Sequence, residues 1–329
     1  MTRTRVGFLG TGWIGRSRLE AIVATDAVEV VAIVEPDDDC AEEALKLAPE
    51  VRRLPSHEAM LAERLDGVVI ATPSALHASQ SIAALESGAA VFCQKPLGRN
   101  ADEVRAVVEA ARRADRLLGV DLSYRHTAAA QAITGALQAG QLGEVFAVDL
   151  TFHNAYGPDK SWFYDRQLSG GGCVVDLGVH LVDLALWLLD FPQVERVQSS
   201  LFAEGRRLHA GSEAVEDYAT ATLDLATGTA VRLACSWHLN AGQDAVFEAA
   251  FHGSEASAVL RNVDGSFYDF EAQLNKGTAS EIVARPPDSW SGRAAAAWAR
   301  KLAESNGFDE VATHNERVAE VLDLIYFGG

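Results

Sequence analysis

The stretch "RVGFLGTGWIGRSRLEAIVAT", residues 5–25, decides the fold. Val6, Phe8 and Leu9 form a short apolar run that stops at Gly10, and beyond Trp13 the apolar positions Ile14, Leu19, Ile22 and Val23 return at helical spacing. The stretch reads as strand, turn, helix. Its turn, Gly10-Thr11-Gly12-Trp13-Ile14-Gly15, is a Gly-x-Gly-x-x-Gly loop. Three glycines alone could serve a tight turn for steric reasons. Between a strand and a helix they also let backbone N–H groups and the helix N-terminus hold a pyrophosphate. Glu35 closes the next β-branched run, "VEVVAIVEP", 20 residues after Gly15. An acid there accepts hydrogen bonds from the adenosine ribose hydroxyls. Asp37, Asp38 and Asp39 follow with no adjacent arginine expected, which opposes a 2′-phosphate, so NAD is the expected cofactor and NADP the less suited one.

Further along, "DGVVIATP", "AAVFCQKP" and "RLLGVDL" repeat the apolar strand signal, with helix-like segments such as "HASQSIAALES" and "ADEVRAVVEAARRA" between them. Asn100 and Glu103 have the spacing of a capping box. Near-continuous apolar strands alternating with helices indicate a parallel sheet covered on both faces, so residues 1–122 are expected to form a doubly wound dinucleotide-binding (Rossmann) domain. After residue 123 the pattern changes. "EVFAVDLTFH", "EDYATATLDLA", "GTAVRLACSWHL" and "AVFEAAFHG" are longer and partly alternate, with "LATGTA" as a hairpin turn. Residues 123–329 are therefore expected to form an α+β domain with a large open, mostly antiparallel sheet. Its last helix, in "THNERVAEVLDLIYF", would be opened by a Thr313/Glu316 capping box.

The totals agree with two domains. A chain of 329 residues exceeds the size at which one core keeps growing. Its 28 basic against 46 acidic residues argue against nucleic acid or an anionic membrane as partner, leaving a small soluble ligand. Cys40, Cys93, Cys173 and Cys235 are far apart and match no zinc spacing, so they read as packed thiols in a reducing cytoplasm, and no metal site is expected. No uncharged run approaches membrane-spanning length.

Two segments carry chemistry. Lys95, one of only five lysines, stands at the carboxyl end of the fourth apolar run, where open α/β sheets place their ligands. Pro96 after it could turn the chain through a cis bond. An ammonium there favours an alkoxide forming on a bound alcohol. The second segment is "GGGCVVDLGVHLVDLALWLL", residues 170–189, an apolar helix that keeps Asp176, His180 and Asp183 at spacings of four and three. On a helix these share one face. Such a stripe is either a satisfied core network or the wall of a working site.

"GFLGTGWIG", "DGVVIATPSALHA", "SGAAVFCQKPLGRNA" and the stripe helix, in this order, resemble the glucose-fructose oxidoreductase / inositol dehydrogenase / MocA (Gfo/Idh/MocA) family over essentially the whole chain. The resemblance implies an oxidoreductase acting on sugars, cyclitols or related hydroxy compounds. It makes Lys95 the lysine of a Glu-Lys-Pro motif, with Gln94 standing where the family usually has Glu, and makes Asp176 and His180 the pair of the helix motif. It also places Thr72, Pro73, Ser74, His77 and Gln94 near the cofactor. On this reading His180 is the general base in oxidation, Asp176 binds a substrate hydroxyl or orients the imidazole, and Lys95 positions the reacting oxygen. Asp183 is expected to satisfy buried polar groups.

For the substrate, Arg125 is a candidate contact or an interdomain salt bridge, while Tyr156 and Trp162, in "FHNAYGPDKSWFYDRQLSGGG", offer aromatic faces for a polyhydroxylated ring or a dimer-contact loop. His238 and His252 are expected on strands in structural roles. A glycosidase with retained NAD and a nucleotide-sensing protein are the competing readings. The open sheet suggests a homodimer or homotetramer through its uncovered face.

Overall fold

The computed structural model describes residues 3–209 and 212–327, which divide into two units: Met1–Ser123 with Ser291–Glu316, and Tyr124–Trp290 with Arg317–Gly329. The first unit holds six parallel strands, β1 (Arg5–Leu9), β2 (Glu29–Val34), β3 (Arg52–Arg53), β4 (Gly67–Ile70), β5 (Ala90–Cys93) and β6 (Leu118–Val120), in the order β3-β2-β1-β4-β5-β6. Its helices are α1 (Trp13–Val23), α2 (Asp38–Leu47), α3 (His57–Leu61), α4 (Ser74–Glu86) and α5 (Ala101–Ala114). Strand order reverses between β1 and β4, the switch point beyond whose carboxyl ends doubly wound sheets bind ligands. Every residue of β4 and β5 is buried, which is why both read as unbroken apolar runs. The strand missed in sequence is β3: two exposed arginines are too short to show a period.

Local signals set the helix ends. Asn100 accepts from the Glu103 N–H at 2.9 Å, as expected, while the Glu103 carboxylate turns to the N–H and guanidinium of Arg99. Asp102 and Glu103 in the first turn of α5, with Arg112 and Arg113 in the last, complement the helix dipole.

The second unit is built on nine strands: β7 (Val145–Asn154), β8 (Val194–Ala203), β9 (Arg206–Arg207), β10 (Tyr218–Leu225), β11 (Ala230–Ser236), β12 (Ala245–Gly253), β13 (Ser257–Asn262), β14 (Phe270–Lys276) and β15 (Ala279–Ala284). Their order is β15-β14-β13-β12-β7-β11-β10-β8-β9, antiparallel throughout except for the central β7–β11 pair. Of its helices α6 (Ala128–Gln138), α7 (Arg166–Ser169) and α8 (Val179–Leu188), α6 packs on β13–β15 and α8 on β7 and β12. Ala219, Ala221 and Leu223 of β10 are buried. The alternate residues Thr220 and Thr222 join Asp149, Thr151, Gln198 and Arg232 in lining a polar trough of about 480 Å³. The helical stretch Arg166–Leu188 is long and apolar enough to cross a bilayer by composition, but 83% of its apolar window is buried inside the protein, as in a core helix.

The expected single span 123–329 for the second domain needs correction, because Ser291–Glu316 folds with the first unit. The cause is α9 (Arg293–Glu304), whose Trp298, Ala299 and Leu302 are buried in the same core as Val6, Phe8, Val69 and Phe92. Gly67 and Gly119 admit it: a Cβ on either would lie 2.8 Å or less from the Trp298 ring or Leu302. Burying Trp298 and Leu302 contributes roughly 2–3 kcal/mol each, enough to recruit the helix. In the last helix, α10 (His314–Phe327), the expected Thr313 cap is replaced by a donor role, with the hydroxyl bonding the Glu310 carbonyl at 2.7 Å and closing a 3₁₀ turn.

Candidate active site

In the first unit the glycine loop is shaped from within. Gly10 has φ +84°, and a Cβ on it would sit 2.6 Å from the Ala71 carbonyl; one on Gly15 would sit 2.2 Å from the Gly10 carbonyl. A Cβ on Gly12 would meet nothing within 4 Å, so this residue faces open space. Gly12 is also the N-cap of α1 and supplies no side-chain acceptor to the first helical amides. A diphosphate fits such a cradle, with Thr11, Trp13 and Ile14 beside it. Glu35 fastens the loop to β2: its Oε2 accepts from the Thr11 N–H at 2.6 Å and its Oε1 from the Asp37 N–H at 3.0 Å. Oε2 also receives the Thr11 hydroxyl at 3.4 Å, so Oε1 is the oxygen with a second lone pair to offer a ribose hydroxyl.

The expectation that no arginine adjoins this acidic cluster is corrected by Arg53. Its guanidinium donates to the Glu35 carbonyl at 2.7 and 3.0 Å, to the Pro36 carbonyl at 3.1 Å and to Asp38 at 2.7 Å. Distance in sequence concealed it.

His77 bridges two backbone segments. Nearly fully buried, it places Nδ1 2.7 Å from the Pro96 carbonyl and Nε2 2.6 Å from the Thr72 carbonyl. Both nitrogens lie at hydrogen-bonding distance from a backbone carbonyl, so His77 joins the loop after β4 to the Lys95–Pro96 turn. Burial pushes its pKa below the usual imidazole value, although both carbonyls favour the protonated ring. Thr72 donates to Gln80 at 2.6 Å, Pro73 is the N-cap of α4 and Ser74 its buried first residue. Lys95 is half-buried just beyond β5, and its bond to Pro96 is cis.

In the second unit the stripe is retained with a local change. Val174–Gly178 winds as a π turn carrying Asp176, and α8 follows with His180 and Asp183. Insertions of this kind recur at functional sites. Asp176 is half-buried and its Oδ2 accepts from the indole N–H of Trp237 at 3.0 Å. His180 is 8% exposed and meets the Tyr124 ring edge-on at 4.7 Å between centroids. Tyr124 belongs to an aromatic cluster with Phe152, Phe247, Phe270 and Trp290, and burial pushes its phenol well above the ordinary value. The imidazole thus stands on an apolar shelf one turn from an oriented carboxylate, an arrangement able to accept and return a hydroxyl proton. Sequence reasoning missed Trp237 and Tyr124, whose only signal was an aromatic residue with a polar handle at the end of a strand or the start of a domain.

Arg125 is engaged within its own unit. It pairs through Nε (2.8 Å) and Nη2 with Asp183 of its own unit, and its guanidinium stands over Trp187 and Phe191 at 5.7 and 5.4 Å. Asp183 is 1% exposed, so the pair neutralises a buried carboxylate. Trp162 stacks on Phe163, which contacts Trp237 edge-on, so that part of the aromatic segment gathers near Asp176. Tyr156 is exposed and donates its hydroxyl to Asp244 at 2.7 Å. His252 is on β12 as expected, 3.2 Å from Asp149. His238 is not on a strand; it lies beyond β11 with φ +57°. Among the described residues no His, Cys, Asp and Glu side chains group to hold a metal.

Residues 4–122 match the oxidoreductase family with an NAD-binding Rossmann fold, and residues 130–259 match the GFO/IDH/MocA C-terminal domain. The chain belongs to the Gfo/Idh/MocA oxidoreductase family. A D-apiose dehydrogenase of Paraburkholderia graminis is 30% identical over 290 residues, 88% of this chain and 75% of that one. A D-glucoside 3-dehydrogenase of Escherichia coli K12 is 28% identical over 211 residues, 61% of this chain, and the match spans 60% of that protein's length. A levoglucosan dehydrogenase solved with NADH shares the fold, with a TM-score of 0.82 at 21% identity over 98% of this chain and 96% of that one.

Gln94 takes part in a buried polar network of the first unit. Its side-chain amide donates to Asp121, 1% exposed, which also receives the guanidinium of Arg18 and the hydroxyl of Ser123. A glutamate here would set a second carboxylate against Asp121, which Arg18 already pairs.

Proposed function

We propose that the protein is an NAD-dependent dehydrogenase of a small polyhydroxylated compound, a sugar, cyclitol or sugar-derived hydroxy compound. The observation that carries this reading is the second unit's most apolar helix, which keeps His180 on an aromatic shelf one turn after Asp176, itself oriented by Trp237. Bound nicotinamide would supply the hydride acceptor. The chain supplies the rest: Gly10, Thr11, Gly12, Trp13, Ile14, Gly15 and Glu35 hold the dinucleotide, Lys95 steadies the reacting oxygen, His180 takes the hydroxyl proton, and Asp176 holds a neighbouring hydroxyl. Trp162 is the proposed stacking face for the ring. NAD is preferred because the Arg53 guanidinium is already engaged by two carbonyls and Asp38.

Cytoplasmic location is supported by the free thiols Cys93, Cys173 and Cys235, all buried. Self-association is proposed through the polar open face of the nine-stranded sheet, as a homodimer or homotetramer; a monomer by light scattering would refute it. The test of activity is NADH formation with a panel of sugars, inositols and sugar acids. Stoichiometric NADH supports the dehydrogenase. Cofactor binding with no net reduction excludes it.

A further inference from the structure

The glycines that open the stripe helix press against a buried acid that no sequence motif indicated. Glu216, at 0% exposure, directs Oε1 at the N–H groups of Gly172 (2.8 Å) and Val174 (3.0 Å), and the same oxygen accepts the Tyr326 hydroxyl at 2.7 Å. Its backbone carbonyl accepts the Cys173 N–H at 3.0 Å. Three successive amides at the start of the helical segment, which have no partner within a helix, are thus held by one residue. The glycines follow from this contact. A Cβ on Gly172 would stand 1.9 Å from the Glu216 carbonyl oxygen, and one on Gly171 would stand 2.0 Å from the Tyr326 hydroxyl.

The clamp lies immediately before the π turn that carries Asp176, whose own N–H bonds the Gly172 carbonyl at 3.0 Å. Each residue turns a helix by about 100°, so where the segment begins determines where Asp176 and His180 point. We infer that Glu216, with Tyr326, is a positioning residue for the reaction, fixing the start and register of the segment that presents Asp176 and His180. The inference rests on the dehydrogenase reading for its catalytic consequence and on the clamp geometry for its structural one.

The test compares wild type with Glu216→Ala, Glu216→Gln and Tyr326→Phe by amide hydrogen exchange, NAD titration and turnover of the compound that the wild type oxidises. Glu216→Ala is expected to speed exchange at residues 172–176 and lower kcat roughly 10- to 100-fold, as a small misplacement of reacting groups does. NAD affinity should stay unchanged. Glu216→Gln, which keeps an acceptor oxygen, should restore most of kcat. Should Glu216→Ala fail to fold, Tyr326→Phe carries the test, with a smaller loss of kcat at unchanged NAD affinity. Wild-type exchange at 172–176 in the tested variant overturns the clamp, and wild-type kcat overturns the positioning role. A wild type that oxidises nothing in the panel refutes the dehydrogenase reading instead, while exchange still decides the clamp.

Discussion

Gln94 donates its side-chain amide to the carboxylate of Asp121, so an amide is better suited than an acid beside this buried carboxylate. Gln94→Glu should destabilise the first unit by about 3 kcal/mol, the scale of a buried charge left without compensation. The sign with pH is fixed: the new carboxyl, facing Asp121, would have a folded-state pKa above the unfolded value of about 4.3. The penalty should therefore be small below about pH 4 and grow as pH rises through the raised folded value. Denaturant midpoints from pH 4 to 8 measure it, and Asp121→Asn in the same chain should remove most of it.

Trp237 sets the orientation of Asp176. Trp237→Phe keeps an aromatic ring but removes the pyrrole part of the indole with its N–H, and losing a hydrogen bond to a charged group corresponds to about 1.5–3 kcal/mol. If the full value appears in the transition state, kcat/KM falls by about 10- to 100-fold while NAD affinity holds. Unchanged kinetics would show that the bond has no part in presenting the carboxylate.

For Arg125 the expected effect is on stability. Arg125→Ala takes the guanidinium away from the buried Asp183 and should cost about 3–5 kcal/mol in urea unfolding, whereas Arg125→Met with Asp183→Leu should recover most of that. A fully stable Arg125→Ala protein that loses only substrate affinity would return the arginine to substrate recognition.

Cofactor preference can be tested at Asp38. Asp38→Asn releases part of the Arg53 guanidinium and is expected to raise the NADP/NAD ratio of kcat/KM about tenfold, near 1.4 kcal/mol. Adding Arg53→Ala should abolish the gain. A ratio indifferent to both changes would exclude Arg53 from the cofactor site.

What could be read from the sequence follows from the reach of each interaction. The strands of the parallel sheet other than β3, and the glycine loop, were legible because burial on both faces and a strand-turn-helix junction write themselves into consecutive residues. The same holds for Asp176 and His180, whose spacing on an apolar helix needs no tertiary knowledge. Contacts that join distant segments left no such trace. Arg53 sits on a two-residue strand 18 positions from Glu35, Trp237 reaches Asp176 across 61 residues, and Glu216 clamps Gly172 across 44. Arg125 and Asp183 were each noticed, yet only the fold pairs them. The return of α9 to the first unit was hidden because an alanine-rich amphipathic helix fits any apolar surface of the right shape.

The most direct measurement is reduced-nicotinamide absorbance with purified wild type and His180→Ala, NAD, and a panel of monosaccharides, inositols and sugar acids, beside a fluorescence titration of NAD. The account predicts that wild type reduces NAD with at least one of these compounds and that His180→Ala binds NAD with unchanged affinity while kcat falls by about 10²- to 10⁴-fold, the range for a lost general base. Retained turnover in His180→Ala would contradict it.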